Sequence, residues 1–195
     1  KLITCHLGNG SSLAAILDGK VMDTSMGFTP LDGIIMGTRC GSIDPSIVTY
    51  IAGLESMPES DVSRLLNNES GLLGVSGVSS DCRDVQAAAK AGNKRAQLAL
   101  DMLEYQLVKL IGSYAGALGG VDAILFTGGI GENDIGLREK VLRDLAYLGV
   151  TADPKANDCR GEEVRISGAD SKVEVWVVPT NEEIMIARDT AELIK

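Results

Sequence analysis

Three glycines in four positions, Gly128, Gly129 and Gly131, followed by Glu132 and Asn133, are the residues here best suited to hold a ligand against main chain. Without side chains they let a bound group reach the backbone, and they permit positive φ. They follow an apolar run of strand length, residues 123–127, and precede a segment with Ile135, Leu137, Val141, Leu142 and Leu145 at helical spacing. Strand, glycine-rich turn and helix is a layout that nucleotide sites use, because amide donors and a helix start then face the ligand. A plain tight turn between strand and helix would leave the same trace.

Two further constellations could act on phosphate. Gly8-Asn9-Gly10-Ser11-Ser12 follows a strand-like run ending at His6 and Leu7, and its amides and hydroxyls would suit a phosphate chain. A simple hairpin turn explains it equally well. Arg39 lies in a stretch of Gly, Pro and Thr from 25 to 45, among small residues that would let its planar fork of donors reach a phosphate. Its alternative is a tie to Asp44 that pins the loop. Near the C-terminus, Glu182 and Glu183 open a helix. Thr180 with Glu183 has the spacing of a capping box, and Glu182 could hold a hydrated Mg²⁺.

The totals bound the chemistry. His6 is the single histidine of 195 residues, so any nucleophile–histidine set must pass through it and multi-histidine metal clusters are excluded. A net charge of −9 argues against a nucleic-acid surface. No apolar run of about 20 residues is present to span a membrane. The four cysteines are widely spaced, which fits reduced thiols in a cytoplasmic protein. A start at Lys1, already inside a strand-like run, reads as a piece of a longer protein.

To position these residues the chain needs an early pair of hairpins, strands at 2–7, 13–17 and 20–24. Helices are expected from Asp44-Pro45 to Leu54, from Pro58 to Leu66, from Asp81 to Ala91 and from Gly92-Asn93 to Leu118. Residues 71–80, with three glycines, read as a loop. Leu100, Leu103, Leu107, Leu110, Ile111, Tyr114 and Leu118 form a core stripe. After the central strand and a helix over 135–146, the polar stretch 153–171 is expected to be exposed. A last strand at 173–178 and a helix to Ile194 follow. Hairpins first, then strands alternating with helices, imply an α/β fold: a mixed β-sheet flanked by helices.

Taken together, His6-Leu-Gly-Asn9-Gly10, Asp23-Thr-Ser-Met-Gly27, Thr29-Pro30-Leu31, Met36-Gly-Thr-Arg39, Ser79-Ser-Asp81, Phe126-Thr-Gly-Gly-Ile-Gly-Glu-Asn133 and Thr180-Asn-Glu-Glu183 resemble the acetate kinases, within the short-chain acid kinases. The resemblance covers that family's C-terminal half. It implies an RNase H-like or actin-like ATPase domain, with residues 1–183 the nucleotide-binding domain of a two-domain kinase. Residues 184–195 would be a terminal helix that packs on an N-terminal domain lying before Lys1. It implies ATP or ADP with Mg²⁺, an acetate-like carboxylate substrate and a homodimer. By the same resemblance, His6, Leu7, Gly8, Asn9 and Gly10 are the phosphate loop. Asp81, Cys82 and Arg83, with Gly129, Ile130, Gly131, Glu132 and Asn133, contact adenosine. Arg39 and His6 are catalytic, Pro30 walls the substrate's methyl pocket, and Glu182 belongs to the Mg²⁺ site. Propionate or butyrate kinases, and a non-catalytic actin-like ATP binder, are the alternatives. Two departures stand out: Cys40 and Ser42 replace the family's serine and aspartate beside the arginine, and Cys82 replaces an apolar or aromatic residue.

Overall fold

The structure, a computed structural model, describes residues 1–54 and 56–194. Lys195, the last residue of the expected terminal helix, lies outside them.

One six-stranded mixed sheet organises the chain. Strands β1 (Leu2–Leu7), β2 (Ser11–Leu17) and β3 (Lys20–Thr24) form two antiparallel hairpins. Strands β4 (Ala123–Thr127) and β6 (Glu174–Val177) add in parallel beside β1, and the short β5 (Val164–Arg165) closes the edge antiparallel to β6. The order across the sheet is β3-β2-β1-β4-β6-β5. Alternation decides which face is buried: Ile3, Cys5 and Leu7, Ile124 and Phe126, and Val175 and Val177 all point into the core. The intervening residues of β1 and β4 on the other face are only half-buried, as is Trp176 of β6, while Glu174 is exposed.

Helices make up most of the remaining chain. They are α1 (Ser46–Leu54), α2 (Glu59–Asn68), α3 (Gly71–Ser76), α4 (Cys82–Lys90) and α5 (Lys94–Leu118), all between β3 and β4. Next come α6 (Gly128–Asn133) and α7 (Ile135–Asp144), between β4 and β5, and α8 (Glu182–Leu193) after β6. The 25-residue α5 lies on β1 and β2 and against α3, α4 and α7. Its buried stripe includes Leu103, Leu107, Ile111, Tyr114 and Leu118 as expected; Ala96, Ala99 and Ala115 complete it, while Leu100 and Leu110 sit half-buried. Asx residues start several helices. Asp81, Asn93 and Asp134 accept from the second or third helical amide of α4, α5 and α7, and Asp44 accepts from Ser46 N, the first amide of α1.

Three segments differ from the sequence expectation. The glycine-rich stretch 71–80 is not all loop, because Gly71 and Gly77 bound a helical turn rather than break one. Gly77 is its left-handed C-cap, and Arg95 donates to the carbonyls of Gly74 and Val75. Within 153–171, Ile166, Asn157 and Ser167 are buried, since β5 and a bridge from Ala152 to Ser167 fold this polar stretch back onto β6. At α8 the cap is Asn181, whose Oδ1 accepts from Ile184 N at 3.1 Å. The Thr180–Glu183 capping box does not form, because the Thr180 hydroxyl is used elsewhere.

Candidate functional site

Because β1, β4 and β6 are parallel, the loops that leave their C-terminal ends emerge at one edge of the sheet, the usual position of a ligand crevice in such sheets. The pairing of His6 with Thr127 sets Gly8–Gly10 beside Gly128. Only glycine fits at 128. Its φ is +77°, and an added Cβ would stand 2.8 Å from the Leu7 carbonyl oxygen and 3.1 Å from His6 Cε1. The first turn closes on itself: Gly8 N donates to the carbonyl of Gly10 and to Ser11 Oγ, and the Ser11 hydroxyl donates back to the Gly8 carbonyl. Ser11 is thus occupied inside the turn, and its hydroxyl is not offered outward.

A cleft of about 880 Å³ opens over this edge. Gly8 and Asn9, the α4 start at Asp81, Cys82 and Arg83, and Gly129, Ile130 and Asn133 of α6 all line it. So do Gln86, Asp134, Lys140 and Arg160, which the sequence reading did not select. Their one sequence signal is position: Gln86 lies one turn beyond Cys82 on the same helix. The Gln86 amide donates to Asp134, joining α4 to the α7 cap across the cleft. Asn133 Nδ2 donates to the Gly129 carbonyl at 2.9 Å and fixes the glycine turn. Asp81 receives Arg83 N at 2.8 Å and its guanidinium Nη2 at 2.6 Å, which holds the carboxyl down at about 2.

Cys82 is only 7% exposed. Burial, with Asp134 and Asp81 near, pushes its thiol up from 9.0 to about 12. Burial also pushes Cys5 up. Folding therefore favours the neutral thiols, a preference intact below pH 9 and lost as pH rises toward 12. Stability should fall across that alkaline window, and Cys82→Ala should remove part of the slope. Denaturant midpoints measured against pH check this; parallel slopes for both proteins would contradict it.

The remaining selected residues lie around the cleft in different roles. The Arg39 guanidinium stands over Gly10, where an added Cβ would be 3.2 Å from Nη1. Nη1 also donates to the Pro30 carbonyl at 3.1 Å, so Arg39 and Pro30 are direct neighbours. The tie to Asp44 does not form: Asp44 caps α1, and among the described residues Arg39 enters no salt bridge. Ser42 pairs with Asp32 and Cys40 with its neighbour's carbonyl, so neither departure captures Arg39. The loop holds its place through buried Ile34, Ile35 and Met36 and through Ile35 N, which donates to Gln106 Oε1. Of the other loop residues expected to contact a ligand, Leu7 has its side chain in the core and Gly131 is buried beneath the turn, which leaves main chain as what each could offer. The Glu132 carboxylate points inward, to Gly128 and Thr180. Glu182 is exposed in the first turn of α8.

The chain matches the acetokinase family over residues 1–188. It belongs to that family. The acetate kinase of Halothermothrix orenii is 54% identical over 195 residues, which make up 100% of this chain and 49% of that protein. The crystal structure of Porphyromonas gingivalis acetate kinase superposes with a TM-score of 0.95 at 50% identity, covering 100% of this chain and 49% of that one. A propionate kinase from Francisella tularensis superposes with a TM-score of 0.88 at 43% identity, over 95% of this chain and 47% of that one. This acetokinase-family chain spans about half the length of the curated relatives it matches. Its α/β architecture is that of an actin-like ATPase domain, as the motifs implied.

Proposed function

We propose that the chain is the nucleotide-binding half of an ATP-dependent kinase that converts acetate reversibly to acetyl phosphate. The observation that supports this most is the convergence of three strand-end loops, 8–10, 128–133 and 178–182, on one edge beside Arg39. In this reading adenosine occupies the cleft between α4 and the α6–α7 junction, and the phosphates extend past Gly8–Gly10 toward His6 and Arg39. Phosphoryl transfer needs alignment and charge neutralisation more than covalent help. Arg39 supplies a fixed charge that no carboxylate pairs with among the described residues, and Pro30, bonded to it through its carbonyl, walls the methyl pocket. A pure nucleotide binder has no need of that pairing, which disfavours the non-catalytic reading.

Mg²⁺ fits this set in one way. Among the described residues no three His, Cys, Asp or Glu side chains gather to hold a metal. The exposed Glu182, in the first turn of α8, suits an ion that keeps waters and takes phosphate oxygens as its other ligands. Bound there, the ion supplies charge neutralisation on the phosphates. The exposed apolar side chains of α8, including Ile184, Ile186 and Leu193, are assigned to the first domain of the kinase, and those of α1 to a second copy in a homodimer. Turnover then requires both halves. A cytoplasmic location goes with the four free cysteines.

Calorimetric titration of the chain with Mg-ADP, beside Asn133→Ala, tests the nucleotide reading. Binding weakened about tenfold by the substitution is expected, the size of one good hydrogen bond. A folded chain that takes no Mg-ADP would overturn it. The propionate reading has the Francisella neighbour in its favour, and kcat/KM for the two acids in a protein carrying both halves decides between them.

A further inference from the structure

Glu132 sits in the middle of the glycine turn, yet its carboxylate does not reach into the cleft. One oxygen, Oε1, accepts from Gly128 N at 2.9 Å, from Thr180 N at 2.9 Å and from the Thr180 hydroxyl at 3.0 Å. Gly128 opens the turn that follows β4, and Thr180 lies 48 residues beyond Glu132 in the loop that follows β6. A carboxylate is a strong acceptor, and here three donors from two separate loops converge on it.

The surroundings make this link the main connection between those loops. Ladder pairing between β4 and β6 ends where Val178 N donates to the Phe126 carbonyl. Pro179 has no N–H to continue it. Thr180 is the next residue able to bond across, and it bonds to Glu132. Asn181 then caps α8, and Glu182 follows directly. The hydroxyl that could have capped α8 is thus committed to the brace.

We propose that Glu132 is a positioning residue that locks the glycine turn to the segment carrying Glu182, so that the nucleotide loop and the metal-binding carboxylate move as one unit. This rests on the nucleotide reading above for its functional consequence, though not for the brace itself. Glu132 does not touch the nucleotide. It sets where Asn133, on one side, and Glu182, on the other, stand relative to each other.

Two readouts test the proposal on the 195-residue chain. The first is residue-resolved amide exchange at Gly128 and Thr180 without nucleotide. Glu132→Ala should speed both by about tenfold or more, while Glu132→Gln, which keeps an acceptor oxygen, should change them by less than about threefold. Thr180→Val, which keeps the amide and loses the hydroxyl, should speed exchange at Gly128 less than Glu132→Ala does, and it serves if Glu132→Ala fails to fold. The second is the ratio of ADP affinities with and without Mg²⁺. Glu132→Ala should shrink that ratio toward one and Glu132→Gln should preserve it. Exchange at Thr180 that is unchanged in Glu132→Ala and Thr180→Val would overturn the brace. Equal loss of affinity with and without Mg²⁺ would make Glu132 a nucleotide contact instead. If the wild-type chain binds no ADP at all, the nucleotide reading fails, and the exchange rates still decide the brace.

Discussion

Arg39→Ala, made in a protein that carries both halves of the kinase, should lower phosphoryl transfer by about 10³–10⁵, the range a catalytic arginine commands in such reactions. Mg-ADP affinity should change by less than about tenfold, because Arg39 does not line the cleft assigned to the adenosine. The structure gives this separation a physical basis. The guanidinium rests over Gly10 and bonds the Pro30 carbonyl, so it is aimed by neutral partners and keeps its charge for the ligand. Arg39→Lys should recover little of the loss, since one ammonium cannot match a planar fork held by a backbone carbonyl. Single-turnover rates with saturating nucleotide check both variants. A loss below tenfold for Arg39→Ala would remove Arg39 from the transfer step.

The second large effect concerns stability. Arg138 is fully buried, and its guanidinium meets no carboxylate: it donates to Asn157 Oδ1, to the carbonyls of Gly131 and Asn157, and to that of Cys159, at 2.8–2.9 Å. Burial lowers its pKa, and a cage of carbonyl dipoles stands in for the water it has lost, with Asp134 close enough to favour the charge. Removing it orphans several buried acceptors and leaves a void. Each orphaned group costs about 1–3 kcal/mol, so Arg138→Met should destabilise the fold by about 3 kcal/mol or more. For a domain of this size that corresponds to a fall in Tm of about 6–12 °C. Arg138→Lys should recover only part, because a single ammonium cannot reach carbonyls on both sides of the cage. A loss under about 1 kcal/mol in denaturant titration would show that the cage refills with water.

The legible part of this protein was what short-range periodicity controls. The hairpins around Asp18-Gly19, the alternation in β1 and β4 and the leucine stripe of α5 all follow from residue spacing. The glycine loops that line the cleft were also visible, because glycines clustered at strand ends mark themselves. What stayed hidden depends on partners far along the chain. Nothing near Arg138 foretells that residues 157–159 return to enclose it, and nothing near Glu132 points to Thr180. The Thr180–Glu183 spacing even suggested a local cap, which lost to a carboxylate that only the parallel placement of β4 and β6 brings close. Glycine was the other source of error. In 71–80 it marks the ends of a helical turn, and composition alone does not separate a helix boundary from a loop.

Helix α8 hangs from β6 by four residues, 178–181, and contributes no buried side chain. A helix of twelve residues with no buried side chain is marginal in water, so its helicity depends on what it later lies against. The sheet and the helices over its buried face form a contiguous apolar core without it. The chain is therefore built of two unequal cooperative units, a core that melts as a whole and a C-terminal tail whose order is on loan from its surroundings. Heat absorbed in the main unfolding transition would come almost entirely from the first.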